Sequence, residues 1–132
     1  MSCYTERRPS QRWSHIAGAV AHRPLIGTVV AGLSLATAEH GQGGWEEFGY
    51  RPHPGTLNLR IAEDLPGWLT CRPSVRWRAD RNEHLTVFWP CRIGHVAGHV
   101  RANLTAPQIE AVAPVHLRTV LNLADGDEVH IT

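Results

Sequence analysis

Lysine is absent from this chain of 132 residues, whose thirteen basic side chains are all arginine. This absence excludes the phosphate-binding lysine of P-loop and protein-kinase sites. Any phosphate must therefore be held by arginine, histidine, backbone N–H groups or a metal ion. The formal net charge is only +1 at pH 7, and no basic run is longer than Arg7-Arg8. A nucleic-acid partner is therefore not expected.

The chain also lacks a long apolar run and a paired-cysteine motif. The stretch from Ile16 to Val20 is too short for the core of a signal peptide or for a membrane span. The three cysteines include no C-x-x-C pair, which argues against a zinc knuckle. Hydrophobic residues make up 42% and charged residues 19% of the chain, a globular balance. We therefore expect a cytoplasmic protein without a membrane partner, acting on a small molecule. A monomer is favoured, but the sequence does not determine the oligomeric state.

The pattern along the chain predicts an arm followed by one domain. Residues 1–23 have weak periodicity and are predicted to be an N-terminal arm, in which 13–21 can form a short helix. Residues 24–132 are predicted to form a single domain. Its strands are predicted at 25–31, 56–61, 75–79, 85–93, 96–102 and 128–131, and brief helices at 45–50, 107–112 and 117–121. Many short strands with few helices favour a closed β-barrel.

The first candidate site is the run Pro54-Gly55-Thr56-Leu57-Asn58. Thr56 and Asn58 are two apart on a predicted strand, so their side chains project from the same face. Both carry neutral oxygens, which suit Mg²⁺ when a nucleotide phosphate completes the coordination shell. The alternative is a plain junction between a turn and a strand, where Thr and Asn are common.

The second candidate is the run Pro114-Val115-His116-Leu117-Arg118. Proline is well placed to begin a helical turn, so that free N–H groups and the guanidinium of Arg118 can face an anion. The alternative is a solvated surface arginine on a short helix.

Four blocks of the sequence, in order and spacing, resemble the archaeal-type CTP-dependent riboflavin kinases. They are GYRPHPGTLNL at 49–59, VRANLT at 100–105, IEAVAPVHLR at 109–118 and LADGDEV at 123–129. The resemblance extends from about Leu25 to the end of the chain. It implies a six-stranded cradle-loop (RIFT-type) β-barrel. It also implies that the γ-phosphate of CTP is transferred to the 5′-hydroxyl of riboflavin, giving FMN and CDP.

The resemblance implies roles for individual residues as well. Thr56 and Asn58 would hold Mg²⁺, and Thr105 and Glu110 would contact the flavin. Glu110 is the matched carboxylate and would orient or deprotonate the acceptor hydroxyl. The nucleotide CTP, as phosphate donor, would lie against two segments, which are Val115, His116, Leu117 and Arg118 and the loop of Gly32, Leu33, Ser34, Leu35, Ala36 and Thr37.

Three departures from the family pattern leave other interpretations open. Side chains occupy 34–37 where the family has a glycine-rich loop, His116 replaces a lysine, and the segment between Thr105 and Glu110 is short. One alternative is a kinase of the same fold with another small-alcohol acceptor or nucleotide donor. Another is a non-catalytic nucleotide- or flavin-binding module. The last block is also similar to swapped-hairpin barrels of transcription regulators, which would need a basic surface.

Overall fold

The structure is a computed structural model that describes residues 23–31, 45–78, 85–102 and 107–132. Most of the predicted N-terminal arm lies outside these residues. Within them the chain forms seven strands, two α-helical turns and one 3-10 turn. The strands are β1 (Leu25–Val30), β2 (Leu57–Ile61), β3 (Val75–Arg78), β4 (Leu85–Ile93), β5 (Val96–Ala102), β6 (Gln108–Val112) and β7 (Glu128–Ile131); the helical turns are η1 (Trp45–Glu47), α1 (Gly67–Thr70) and α2 (Leu117–Val120). No helix of the described segments has the length and hydropathy required to span a bilayer.

Six of the strands close into an antiparallel barrel. They pair in the order β4, β5, β6, β2, β1 and β7, and β7 returns to β4 where Ile131 faces Ile93. Strand β3 lies outside this ring and pairs with the first half of β4. The architecture confirms the predicted six-stranded RIFT-type barrel. Closure also leaves the six strands without a free edge, which is how small barrels avoid edge-to-edge aggregation.

The barrel interior is filled by alternate side chains of the strands. In β1, for example, Leu25 and Val29 are 1% exposed, whereas Ile26 between them is 42% exposed. Each fully buried aliphatic side chain contributes about 1.5–3 kcal/mol relative to an exposed one. The largest of the described side chains with less than 2% exposure are Leu25, Val29, Leu59, Leu69, Ile93, Val100, Ile109 and Ile131. Burial raises the pKa of the Cys91 thiol to about 12, so this core cysteine stays protonated.

The brief helix predicted at 107–112 is wrong, because Gln108–Val112 is strand β6. Ile109 and Ala111 point into the core, while Glu110 lies on the other face of the strand. The strand pairs with β2 on one side and β5 on the other. Hydrogen bonding on both edges therefore overrides a short local pattern that could be a helix or a strand.

A second apolar cluster covers part of the outer face of the barrel. Phe48, Trp77, Phe88 and Val112 are buried together there. Beside them the Tyr50 hydroxyl lies 2.8 Å from Nδ1 of His99. Burial raises the pKa of Tyr50 and lowers that of His99, so both groups stay neutral near pH 7. The hydrogen bond between Tyr50 and His99 attaches the segment after η1 to strand β5.

A methyl group added at Gly98 is expected to destabilise the barrel. An alanine Cβ there would collide with the carbonyl oxygen of Val112 and would lie 2.9 Å from Cδ1 of Ile93. We expect Gly98→Ala to lower the free energy of unfolding by about 1–3 kcal/mol, measured by urea denaturation. The control is Ala97→Ser, an exposed change on the neighbouring residue with an expected effect within about 0.5 kcal/mol. A Gly98→Ala variant as stable as the parent would contradict the close packing of β5 against β6.

Candidate functional site

The candidate site begins at the turn before β2. Two prolines, Pro52 and Pro54, restrict its backbone, and Gly55 reverses it with φ +91°, a value that residues with a Cβ rarely adopt. The His53 N–H donates a hydrogen bond of 2.8 Å to the carbonyl oxygen of Ala113. This bond joins the turn to the chain leaving β6, so two segments that are distant in sequence meet.

A pocket with a volume of about 70 Å³ opens where the two segments meet. Residues 53–57 form one wall, and 111–113 with 115–118 form the other. Thr56 and the predicted nucleotide-contacting run 115–118 therefore share one cavity. The cavity is smaller than the roughly 300–1,000 Å³ of typical ligand pockets, so it matches part of a nucleotide, such as a phosphate group.

Thr56 and Asn58 lie side by side, as the strand periodicity predicts. Nδ2 of Asn58 is 3.5 Å from Oγ1 of Thr56, and Asn58 is only 8% exposed. The oxygen and nitrogen of an amide are nearly identical in shape, so the Asn58 side chain can also adopt the orientation turned by 180°. In that orientation its oxygen lies beside Oγ1 of Thr56. Neighbouring ligands of an octahedral Mg²⁺ lie about 3 Å apart, since each is about 2.1 Å from the ion. The two side chains can therefore contribute oxygens to one hard cation.

Such a site would differ from an all-protein metal cage. Among the described residues no group of three or more His, Cys, Asp or Glu side chains is arranged to hold an ion. Mg²⁺ is commonly bound through one or two protein oxygens, with waters and substrate phosphates completing the shell. The donor set of Thr56 and Asn58 fits this mode of binding.

Glu110 lies directly opposite Asn58 in the pairing of β6 with β2. It is 8% exposed. On its other side Arg101 of β5 is its pairing partner, and this arginine donates to Oε1 of Glu110 from Nη2 at 3.0 Å and from Nε at 3.3 Å. Charge-assisted hydrogen bonds of this kind orient a carboxylate. Arg101 was not predicted from the sequence, because only the strand register shows that it faces Glu110.

The run 115–118 divides its side chains between core and surface. Leu117 is 5% exposed and belongs to the barrel core, whereas Val115 is 36% exposed. Arg118 donates to Oδ1 of Asp125 at 2.8 Å. Its guanidinium is therefore partly engaged by a carboxylate, and the anion site predicted at Arg118 would have to share the side chain with Asp125.

The pocket also contains a pair of histidines whose contact was not predicted from the sequence. The imidazole rings of His53 and His116 are 5.0 Å apart between centroids and inclined by 46°. Both residues line the pocket. Each histidine lies in a run that was singled out from the sequence, but their contact depends on the hydrogen bond from the His53 N–H to the carbonyl oxygen of Ala113.

Two groups of predicted site residues lie outside the described residues. They are the loop Gly32, Leu33, Ser34, Leu35, Ala36 and Thr37 and the flavin-contacting Thr105. Their roles remain predictions from the family resemblance.

The fold defines a cradle-loop barrel protein of the RIFT type, with a pocket between the turn before β2 and the segment after β6. Comparison with known proteins agrees with this class. The family model CTP-dep_RFKase, described as domain of unknown function DUF120, matches residues 42–132.

Several archaeal proteins named riboflavin kinase are similar to this chain. The protein of Aeropyrum pernix is 38% identical over 119 residues, covering 78% of this chain and 89% of that protein. The protein of Methanococcoides burtonii is 30% identical over 123 residues, covering 81% of this chain and 55% of that protein. The protein of Methanocella arvoryzae is 34% identical over 95 residues, covering 66% of this chain and 44% of that protein. The chain thus spans most of the first relative and about half of the other two.

The chain belongs to the archaeal-type CTP-dependent riboflavin kinase family. This confirms the family resemblance that the four sequence blocks indicated.

Proposed function

We propose that this chain is a riboflavin kinase that transfers the γ-phosphate of CTP to the 5′-hydroxyl of riboflavin, releasing FMN and CDP. The observation that carries the proposal is the shared pocket, which combines Thr56 with residues 115–118 from two separate family blocks. The relatives named riboflavin kinase support the acceptor, and the family name supports the donor.

In the proposed reaction the riboflavin hydroxyl oxygen forms a bond to the γ-phosphorus. The bond between that phosphorus and the oxygen of the β-phosphate breaks, and CDP departs with the electron pair. The hydroxyl proton passes to the carboxylate of Glu110 or to solvent. Phosphoryl transfer depends mainly on positioning and on neutralising charge. The protein must therefore hold acceptor and phosphate tail in line.

The strand register supports a division of roles between two neighbouring side chains. Asn58 and Glu110 face each other across β2 and β6, where directly opposite Cβ atoms are about 4.5–5.5 Å apart. We assign Asn58, with Thr56, to holding Mg²⁺. We assign Glu110, oriented by Arg101, to the acceptor hydroxyl. Mg²⁺ bound there would supply positive charge to the phosphate oxygens, a task that no lysine can perform in this chain.

The donor and acceptor can be tested together. The protein is incubated with riboflavin, Mg²⁺ and CTP, ATP, GTP or UTP in separate reactions, and FMN is measured by chromatography. We expect FMN with CTP at a rate at least about tenfold above the other nucleotides, equivalent to about 1.4 kcal/mol of discrimination. A matched reaction with excess chelator should form none.

Each contrary outcome would correct a different part of the proposal. Equal rates with all four nucleotides would refute the preference for CTP but would still support riboflavin kinase activity. Calorimetric binding of CTP without FMN formation would refute riboflavin as the acceptor. Failure of both ligands to bind would refute the kinase itself.

A further inference from the structure

The two histidines of the pocket have features of a metal-binding pair. Nδ1 of His53 lies 2.9 Å from the carbonyl oxygen of Pro54. A carbonyl only accepts, so Nδ1 carries the proton and the lone pair of the neutral ring is on Nε2. Nδ1 of His116 lies 2.6 Å from Oγ1 of Thr119, which can accept in the same way. Histidines that bind metals commonly donate one ring N–H to such a partner and coordinate through the other nitrogen.

The separation of the rings fits coordination of one ion. With a metal–nitrogen distance of about 2.0–2.1 Å, each ring centroid lies about 3.2 Å from the ion. Two such centroids are about 4.5 Å apart for ligands at right angles and about 5.2 Å apart for a tetrahedral angle. The observed separation of 5.0 Å falls between these values.

The charges around the pair allow a cation to bind. His53, His116 and Arg118 are the ionisable residues that line the pocket. Arg118 is paired with Asp125 at 2.8 Å, so its positive charge is partly compensated. Neutral imidazoles bind borderline transition-metal ions well, whereas Mg²⁺ prefers oxygen ligands.

We propose that His53 and His116 form a second cation site at the pocket, which binds a borderline divalent ion such as Zn²⁺ or Co²⁺. Among the described residues no third His, Cys, Asp or Glu joins the pair. Two or more coordination positions are therefore open to water or to an oxygen of a phosphate ligand. Its ligands differ from the oxygen pair of Thr56 and Asn58, of which Thr56 lines the same pocket, and the proposal does not depend on riboflavin or CTP being the substrates.

The test is titration of the full chain, without an affinity tag, with Zn²⁺ in a calorimeter and with Co²⁺ by visible absorption. We expect one ion per chain that is not displaced by millimolar Mg²⁺. Loss of an outer partner of a metal-bound histidine weakens binding by about 10–100-fold, so loss of a ligand should weaken it by at least about 100-fold. His53→Gln and His116→Gln should each show this loss. Thr119→Val, which removes only the outer partner, should weaken binding less.

The matched controls are His95→Gln and His130→Gln, which change exposed histidines elsewhere on the barrel. Both should bind the ion as the parent does, and circular dichroism should show that every variant is folded. Undiminished binding in a His53→Gln, His116→Gln double variant would overturn the proposal, because the ion would then lie on other residues. Absence of binding by the parent, or displacement by equimolar Mg²⁺, would also overturn it.

Discussion

Replacing Asn58 with alanine is expected to reduce FMN formation by at least about 100-fold while the barrel remains folded. The amide is 8% exposed and adjoins Thr56 at 3.5 Å, so the change removes one of two oxygens assigned to the metal. Two protein ligands are few, and losing one leaves the ion and the phosphate tail poorly positioned. The rate is measured with saturating riboflavin and CTP over a range of Mg²⁺ concentrations.

The matched control is Arg60→Ala, which changes an exposed residue on the same strand and the same face, two positions further along. Its rate should stay close to that of the parent. Asn58→Asp adds a second check, because it keeps a ligand oxygen and should retain Mg²⁺-dependent activity. Its negative charge would face Glu110, which is expected to lower stability. Full turnover in a folded Asn58→Ala variant would refute the metal assignment.

Thr56 offers an independent test of the same cation site. Thr56→Val keeps the shape of the side chain but removes the hydroxyl, whereas Thr56→Ser keeps the hydroxyl. The first should need much more Mg²⁺ for activity, and the second should resemble the parent. Equal Mg²⁺ requirements in both variants would exclude the hydroxyl as a ligand.

The second large effect is expected from Glu110→Gln, which should lower turnover by about 10²–10⁴-fold. The amide keeps the size of the side chain but cannot accept the proton of the acceptor hydroxyl. The change also leaves Arg101, which is 26% exposed, without its carboxylate partner at 3.0 Å. Unfolding must therefore be measured beside the rate, since removing one partner of a partly buried ion pair is expected to be destabilising.

Two further variants separate chemistry from stability. Glu128→Gln removes an exposed carboxylate on β7 and should leave the rate unchanged. Arg101→Lys keeps the positive charge but loses the planar guanidinium, so Glu110 should be less well oriented and kcat should fall more than the affinity for CTP. A folded Glu110→Gln variant with the turnover of the parent would show that Glu110 takes no part in the reaction.

The strands that sequence patterns predicted best are those with clear local signals. Residues 25–30 are mostly apolar or β-branched, and every second side chain is buried. The turn at 125–127 leads directly into β7. The segment 107–112 carried no such signal. Its five strand residues suit a helix or a strand, and only pairing on both edges decides between them.

The site shows the same limit. The proximity of Thr56 and Asn58 followed from strand periodicity alone. The ion pair of Arg101 with Glu110 and the contact of His53 with His116 could not be predicted in this way. Each joins two segments whose strand register or hydrogen bonding cannot be inferred from neighbouring residues in the sequence.

The sequence alone determined the family, the alternating faces of most strands and the absence of lysine from any phosphate site, because these depend on residue identity and short-range order. Tertiary structure decided which outward-facing side chains meet. Barrel closure sets the strand register across β5, β6 and β2, and the His53 to Ala113 hydrogen bond folds the turn onto the segment after β6. Contacts between distant segments arise from that geometry, which no local pattern encodes.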